Sequence, residues 1–194
     1  MPLSPEFIGF YTSWVQKARE YTNDDVRNCF DKFFTFFVIY NRLYAEATFC
    51  LAQTEGSGII IANRDSFPDT RAAKIYVANY LGAKVLITGL QADQNCVAAI
   101  KTLKDLLREH RFYIKLDLVT GNRQPEEDAS LLSRLEENNC AVRAGAILDT
   151  IYSIRCNLFH GQKSFHETQL ELLRPITIVL ERVCHLLWQK LSST

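Results

Sequence analysis

The sequence predicts an all-α fold, a helical bundle in one domain over residues 1–194, on three observations. Only 8 glycines and 5 prolines interrupt the 194 residues, so the segments between these helix breakers are long. Within them, apolar side chains recur every three or four residues, which is the period of an α-helix. Hydrophobic residues make up 47% of the chain and charged residues 23%, proportions typical of a globular domain with a buried core.

Capping residues place the first two helices. Ser4 followed by Pro5 is a typical helix start and predicts a helix over residues 5–21. The polar sequence Thr22-Asn23-Asp24 supplies N-cap candidates for a long second helix over residues 25–53. Aromatic side chains recur on one face of this second helix, which indicates that it lies in the core.

Glycine and polar residues delimit the middle of the chain. Residues 54–69 predict a loop, with a short extended piece at residues 59–61. A short helix over residues 70–81 should end at Gly82, because glycine readily adopts the backbone conformation found just after a helix. The next amphipathic segment predicts a helix over residues 93–115.

The last third of the chain predicts one loop and three helices. The loop covers residues 120–128, and two helices follow it over residues 129–138 and 140–159. The final helix, over residues 167–191, contains Pro175. Proline lacks the backbone N–H, so Pro175 should kink this helix or mark its true beginning.

The helix predicted over residues 93–115 carries a row of cations at i, i+3, i+7, i+10 and i+14. This spacing places them on one helical face. They are Lys101, Lys104, Arg108, Arg111 and Lys115. Such a face is most often simply solvated. In a chain whose 22 basic and 22 acidic residues cancel, it could also follow a phosphate backbone, which makes the first four of these residues RNA-binding candidates.

Three features restrict the compartment and the chemistry. The longest apolar run, residues 33–40, is too short to cross a bilayer, and no basic segment leads into a hydrophobic stretch near Met1. We therefore expect a cytoplasmic protein. The six cysteines are widely spaced and do not have zinc-ligand spacing, so they should act as small apolar side chains. The sequence indicates no cofactor and no metal.

The segment that can carry chemistry lies at the end of the helix over residues 140–159. One face of this helix is apolar, and Arg155 falls at the edge of that face, where its guanidinium needs an acidic partner, a protein interface or an anion. His160 follows five residues later, just before Gly161. A guanidinium can hold phosphate oxygens and an imidazole titrates near neutral pH. The pair therefore suits cleavage of RNA by its own 2′-hydroxyl, without a metal.

The sequence Ile154-Arg-Cys-Asn-Leu-Phe-His-Gly-Gln-Lys-Ser164 resembles the Arg-x4-6-His motif of HEPN domains, and Tyr40-Asn-Arg-Leu-Tyr44 is similar to a helix of prokaryotic members. The resemblance implies a HEPN-like homodimer acting as an endoribonuclease that leaves a 2′,3′-cyclic phosphate. It also implies a toxin or antiphage defence effector held in check by an antitoxin protein. Arg155 would bind the scissile phosphate, His160 would transfer a proton and Asn157 would support them. Further RNA contacts would come from Lys163, Ser164 and His166.

Other hypotheses stay open. An inactive HEPN module would bind RNA, a nucleotide or a partner protein without cleaving RNA. A helical adaptor would use Arg155 only to organise a dimer contact. In a purely structural role, Arg155 would form an internal ion pair with Asp149 or Glu167, while His160 would cap a helix end.

Overall fold

The computed structural model describes residues 3–61, 67–117, 119–159 and 166–193, with the side chain of Phe159 left aside. The all-α prediction is confirmed in these ranges, where the only β-structure is one antiparallel bridge between Leu116 and Arg123. The helices are α1 (Pro5–Glu20), α2 (Val26–Ala52), α3 (Asp69–Arg71), α4 (Val77–Leu81), α5 (Ala83–Gln91), α6 (Gln94–Arg108), α7 (Pro125–Glu136), α8 (Cys140–Phe159) and α9 (Leu170–Ser192). A π-helical turn, Ala72–Tyr76, joins α3 to α4, and a 3-10 turn, Glu167–Gln169, leads into α9.

The predicted caps begin the first two helices. The Ser4 hydroxyl accepts a hydrogen bond from the Phe7 N–H at 3.2 Å, with Pro5 at the first helical position. The Asp25 carboxylate accepts from the Asn28 N–H at 2.9 Å. Each bond satisfies a backbone donor that the helix itself leaves unpaired. Both helices therefore lie within one residue of their predicted bounds.

The core forms where α2 packs against α9, with α1 also packed against α2 and α6 against α9. Aromatic rings of α2 contact one another in sequence along its buried face. They are Phe33, Phe37, Tyr40 and Tyr44. The Tyr40 hydroxyl donates to the Ala73 carbonyl at 2.5 Å, which joins the middle of α2 to the π-helical turn. The predicted aromatic stripe is thus the centre of the core.

Helix α5 is absent from the sequence prediction. Its β-branched residues and Gly89 lower its intrinsic helix propensity, and it follows Gly82 without a loop. Packing compensates, because Leu86, Ile87 and Leu90 are buried where α5 meets α8 and α9. Gly89 allows close approach: a Cβ atom there would lie 2.8 Å from the side chain of Leu186.

Helix α6 ends at Arg108, seven residues before the predicted end at Lys115. His110 adopts the left-handed conformation, with φ of 54°, and the Arg111 N–H returns to the Leu106 carbonyl at 3.0 Å. The prediction that Arg111 and Lys115 share the helical face of Lys101 is therefore wrong. The same region corrects α7, which begins at Pro125 instead of residue 129 because proline fits a first helical position.

The remaining elements follow the sequence closely. The short helix ends at Gly82 as predicted, and α8 has the predicted bounds. Helix α9 begins five residues before Pro175, so this proline does not mark its start. All six cysteines are unbridged; Cys96, Cys156 and Cys184 are buried, and Cys29, Cys50 and Cys140 are partly exposed. Within the described ranges, no helix combines the length and the hydrophobicity needed to cross a bilayer.

Candidate functional site

The C-terminal half of α8 presents the candidate site. The predicted apolar face of this helix is buried along its whole length, where α8 packs on α5, α7 and the π-helical turn. Its residues are Ala144, Ile147, Ile151, Ile154 and Leu158. Arg155 lies at the edge of this face and is partly exposed, as the helical wheel predicted.

Aromatic rings surround the Arg155 guanidinium. Its central carbon lies 5.3 Å from the centre of the Phe37 ring and 6.0 Å from the centre of the Tyr152 ring, and its Nη1 is 4.0 Å from the Cys156 sulfur. The negative face of an aromatic ring attracts a cation without neutralising it. These rings therefore help to orient the guanidinium.

Tyr152 connects Arg155 to the start of the helix that follows Pro68. Its hydroxyl donates to Asp69 at 3.1 Å and lies 3.1 Å from the Thr70 hydroxyl, and Tyr44 donates to the other oxygen of Asp69. Burial raises the pKa of both phenols, and in Tyr44 the hydrogen bond to Asp69 raises it further. Both hydroxyls therefore stay protonated and serve as donors near neutral pH.

Asp149, one of the acids considered for Arg155, holds three other cations. Its carboxylate contacts Lys74 at 2.7 Å, Lys115 at 2.8 Å and Arg134 at 3.0 Å. Burial alone would raise the pKa of Asp149, but the hydrogen bonds from Lys115 and Lys74 outweigh it and hold this pKa well below its ordinary value. Asp149 is therefore ionised at neutral pH.

Positive charge exceeds negative charge around Tyr152. Lys74 lies over the ring of Tyr152, with its ammonium 5.2 Å from the ring centre, so the π-helical turn places a second cation beside Arg155. Together, Lys74, Lys115, Arg134 and Arg155 oppose the carboxylates of Asp69 and Asp149. We call these six residues and Tyr152 the α8 cluster. Among the described residues, Lys74, Lys115 and Arg134 share the single carboxylate of Asp149, and this excess of two positive charges favours the binding of an anion.

Asn157 lies buried beneath the cluster. Its amide donates to the Ile114 carbonyl at 2.8 Å, while Asp128 accepts from the N–H groups of Ile114 and Lys115 at 3.1 and 2.9 Å. These bonds hold the segment after α6 against α8 and so bring Lys115 to Asp149. Asn157 is therefore buried, and its amide faces the backbone of Ile114.

Replacing Asn157 with alanine should lower the free energy of unfolding by about 1–3 kcal/mol, because the buried Ile114 carbonyl loses its side-chain donor. Urea denaturation measures this loss. The exposed Asn122 provides the matched control, and Asn122→Ala should change stability by less than about 0.5 kcal/mol. Equal stability of the two variants would contradict the structural role of Asn157.

The other predicted RNA contacts differ in their surroundings. Three of the predicted cations form ion pairs on the protein surface: Lys101 with Asp105, Arg108 with Asp105 and Glu136, and Arg111 with Glu171. Lys104 is partly exposed on the same side of α6 as Lys101. His166 caps the 3-10 turn, where its Nδ1 accepts from the Thr168 N–H at 3.3 Å. The remaining predicted site residues, His160, Lys163 and Ser164, lie outside the described residues.

Sequence reasoning missed the part of the cluster that comes from other helices. Lys74 and Asp69 precede Tyr152 by 78 and 83 residues, and only tertiary packing brings them to it. A local signal existed for Tyr152, which lies one helical turn before Arg155. Comparisons with known proteins add no assignment, because no protein family, no curated protein and no solved structure matches this chain.

Proposed function

We propose that this chain is a metal-independent endoribonuclease that acts at the C-terminal end of α8. The excess positive charge of the α8 cluster is the observation that carries the proposal. One phosphate of an RNA strand beside Arg155 carries one negative charge and would offset part of this excess, and a guanidinium matches the geometry of two phosphate oxygens. A cytoplasmic toxin or antiphage effector is the biological role that fits this activity.

Arg155 has the central electrostatic role. Its guanidinium would bind the scissile phosphate and stabilise the charge that accumulates on the phosphoryl oxygens in the transition state. The rings of Phe37 and Tyr152 support this role, because they orient the guanidinium before substrate binds. Less reorganisation is then needed at the moment of reaction.

His160 has the proton-transfer role. It is the residue directly after α8 in the sequence, five positions from Arg155. The imidazole would take the proton of the ribose 2′-hydroxyl while the 2′-oxygen forms a bond to phosphorus. The bond from phosphorus to the 5′-oxygen then breaks, and that oxygen takes up a proton. The products are a 2′,3′-cyclic phosphate and a 5′-hydroxyl, and the nucleophile is part of the substrate.

Partner proteins form part of the proposal. The resemblance of residues 154–164 to HEPN domains supports a homodimer in which two α8 ends share one groove. The charge of the α8 cluster agrees with this arrangement, because two such clusters facing each other need an anion between them. An antitoxin protein would then hold the activity in check.

An RNA cleavage assay in excess EDTA tests the proposal. A 5′-labelled RNA should be cut to fragments that end in a 2′,3′-cyclic phosphate, and a strand with 2′-deoxyribose at the cut site should stay intact. His160→Ala should lower the cleavage rate by at least about 100-fold. The exposed His185 provides the matched control, and His185→Ala should cleave normally. Cleavage that needs a divalent metal, cuts DNA or survives His160→Ala would contradict the proposal.

An RNA-binding module without catalytic activity is the second candidate. Partial burial of Arg155 against Phe37 and Tyr152 favours it, since a packed guanidinium can bind phosphate without moving. This function predicts that RNA is retained in a filter-binding assay, weakly at high salt, and is recovered uncut. If the protein binds RNA through Arg155 but the RNA is recovered uncut, the chain is an RNA-binding module and not an endoribonuclease.

A further inference from the structure

A concave surface lies on the side of the molecule formed by α5, α6 and α8. It has a volume of about 380 Å³, and its floor is apolar. The floor residues are Ile87, Leu90, Val97, Ile100 and Ile147. We call this surface the α6 groove. On α8 it includes Arg143, which precedes Arg155 by twelve residues, or about 18 Å along the helix.

Part of the floor is open to solvent. Val97 is 42% exposed and Ile100 is partly exposed, although both belong to a continuous apolar surface with the buried Ile147. Contact with apolar side chains of another molecule would remove this surface from water, which is favourable. The floor therefore suits an occupant with a row of apolar groups.

Cations dominate the rim of the α6 groove. Both acidic residues of the rim already form ion pairs with rim cations. Asp105 contacts Lys101 at 2.8 Å and Arg108 at 2.5 Å, and Glu136 contacts Arg108 at 2.6 Å. Lys104 on α6 and Arg143 on α8 form no ion pair with a carboxylate of the described residues. The rim thus offers two uncompensated positive charges from two different helices.

We infer that the α6 groove docks an acidic amphipathic helix from a partner protein. Such a helix offers apolar side chains at i, i+3, i+4 and i+7 for the floor and carboxylates beside them for Lys104 and Arg143. A phosphate backbone would match the two cations but leave the floor exposed to water. The groove shares no residue with the α8 cluster, and this inference assigns Lys104, which the sequence made an RNA-binding candidate, to the partner helix instead.

Fluorescence anisotropy with synthetic peptides tests this inference. The probe is a labelled 16-residue helical peptide with leucine at the i, i+3, i+4 and i+7 positions and glutamate on both flanks. It should bind at least about ten-fold more tightly than the same peptide with lysine in place of glutamate, and than polyglutamate of equal length. Equal binding of the probe and polyglutamate would overturn the role of the apolar floor.

Charge-reversed variants locate the binding site. Lys104→Glu combined with Arg143→Glu should weaken probe binding by at least about ten-fold. The control combines Arg27→Glu with Lys84→Glu, two exposed residues outside the groove, so that the net charge changes equally. Similar losses in both double variants would show a non-specific charge effect and overturn the inference.

Further measurements distinguish a partner helix from the other molecules that could occupy the groove, namely RNA and a second copy of the chain. Val97→Ser should weaken probe binding, whereas Val85→Ser, at an exposed valine outside the groove, should not, and neither change should lower the melting temperature appreciably. Displacement of the bound probe by an RNA oligonucleotide would identify a nucleic-acid surface. Dissociation of a homodimer by Lys104→Glu and Arg143→Glu would identify a second copy of the chain. Either result would overturn the inference.

Discussion

Replacing Asp149 with asparagine is expected to lower the free energy of unfolding by about 3 kcal/mol, measured by urea denaturation at neutral pH. Asp149 is buried and is the carboxylate that Lys74, Lys115 and Arg134 share. Without its charge, these cations repel one another at short range. The loss falls at the lower end of the range for buried ion pairs, because Lys74 and Arg134 remain partly in water.

Asp105 provides the matched control for this variant. It also bridges two cations, Lys101 and Arg108, but its ion pairs lie on the exposed surface of α6. Surface ion pairs contribute little because water and salt screen them. Asp105→Asn should therefore leave the urea midpoint almost unchanged. Equal destabilisation by both variants would show that burial of Asp149 is not the cause.

The same carboxylate sets a pH dependence. The pKa of Asp149 is lower in the folded protein than in the unfolded chain, so its stabilising contribution is complete above about pH 4 and declines as the pH falls further. Between wild type and Asp149→Asn, the difference in unfolding free energy should shrink as the pH falls below about 4. A difference that stays constant down to pH 2 would contradict this origin.

Arg155→Ala is expected to lower the rate of RNA cleavage by about 1,000-fold in single-turnover measurements, which report the chemical step. The methyl group of alanine offers neither charge nor donors to the phosphate. Arg155→Lys restores the charge but not the paired N–H donors, and it should recover only part of the rate. This graded order is the signature of a guanidinium that binds two phosphate oxygens.

Arg143 is the matched control for Arg155, because it is a partly exposed arginine of the same helix that lies outside the α8 cluster. Arg143→Ala should cleave RNA at the wild-type rate. Thermal melting separates catalysis from folding, since Arg155→Ala also loses the contacts with Phe37 and Tyr152. A folded Arg155→Ala variant that cleaves within ten-fold of wild type would remove Arg155 from the mechanism.

Local signals explain which parts of the fold the sequence could predict. The side chains of Ser4 and Asp25 cap the helices that follow them, and helix α8 has both its predicted bounds and its buried apolar face. Nonlocal contacts explain the misses. The end of α6 depends on a left-handed histidine and on bonds to Asp128 and Asn157, which are distant in the sequence.

In the candidate site, too, local features could be predicted from the sequence and nonlocal contacts could not. The position of Arg155 at the edge of the apolar face of α8 was predictable, because it depends on helical periodicity alone. The pairing of the basic residues was not, since Arg108 meets Glu136 and Arg111 meets Glu171 across the tertiary structure. Neighbouring helices thus decide which cations remain for an anion.

The hydrogen bond from Tyr40 to the Ala73 carbonyl fixes the π-helical turn against α2, so the number of residues in this turn should be tightly constrained. Asp69 and Lys74 stand on either side of Ala73, and both contact groups of α8. Adding or deleting one residue between them would rotate one relative to the other by about 100° around the helix axis. Insertions and deletions there should therefore be far more damaging than in the surface turn around Gly121.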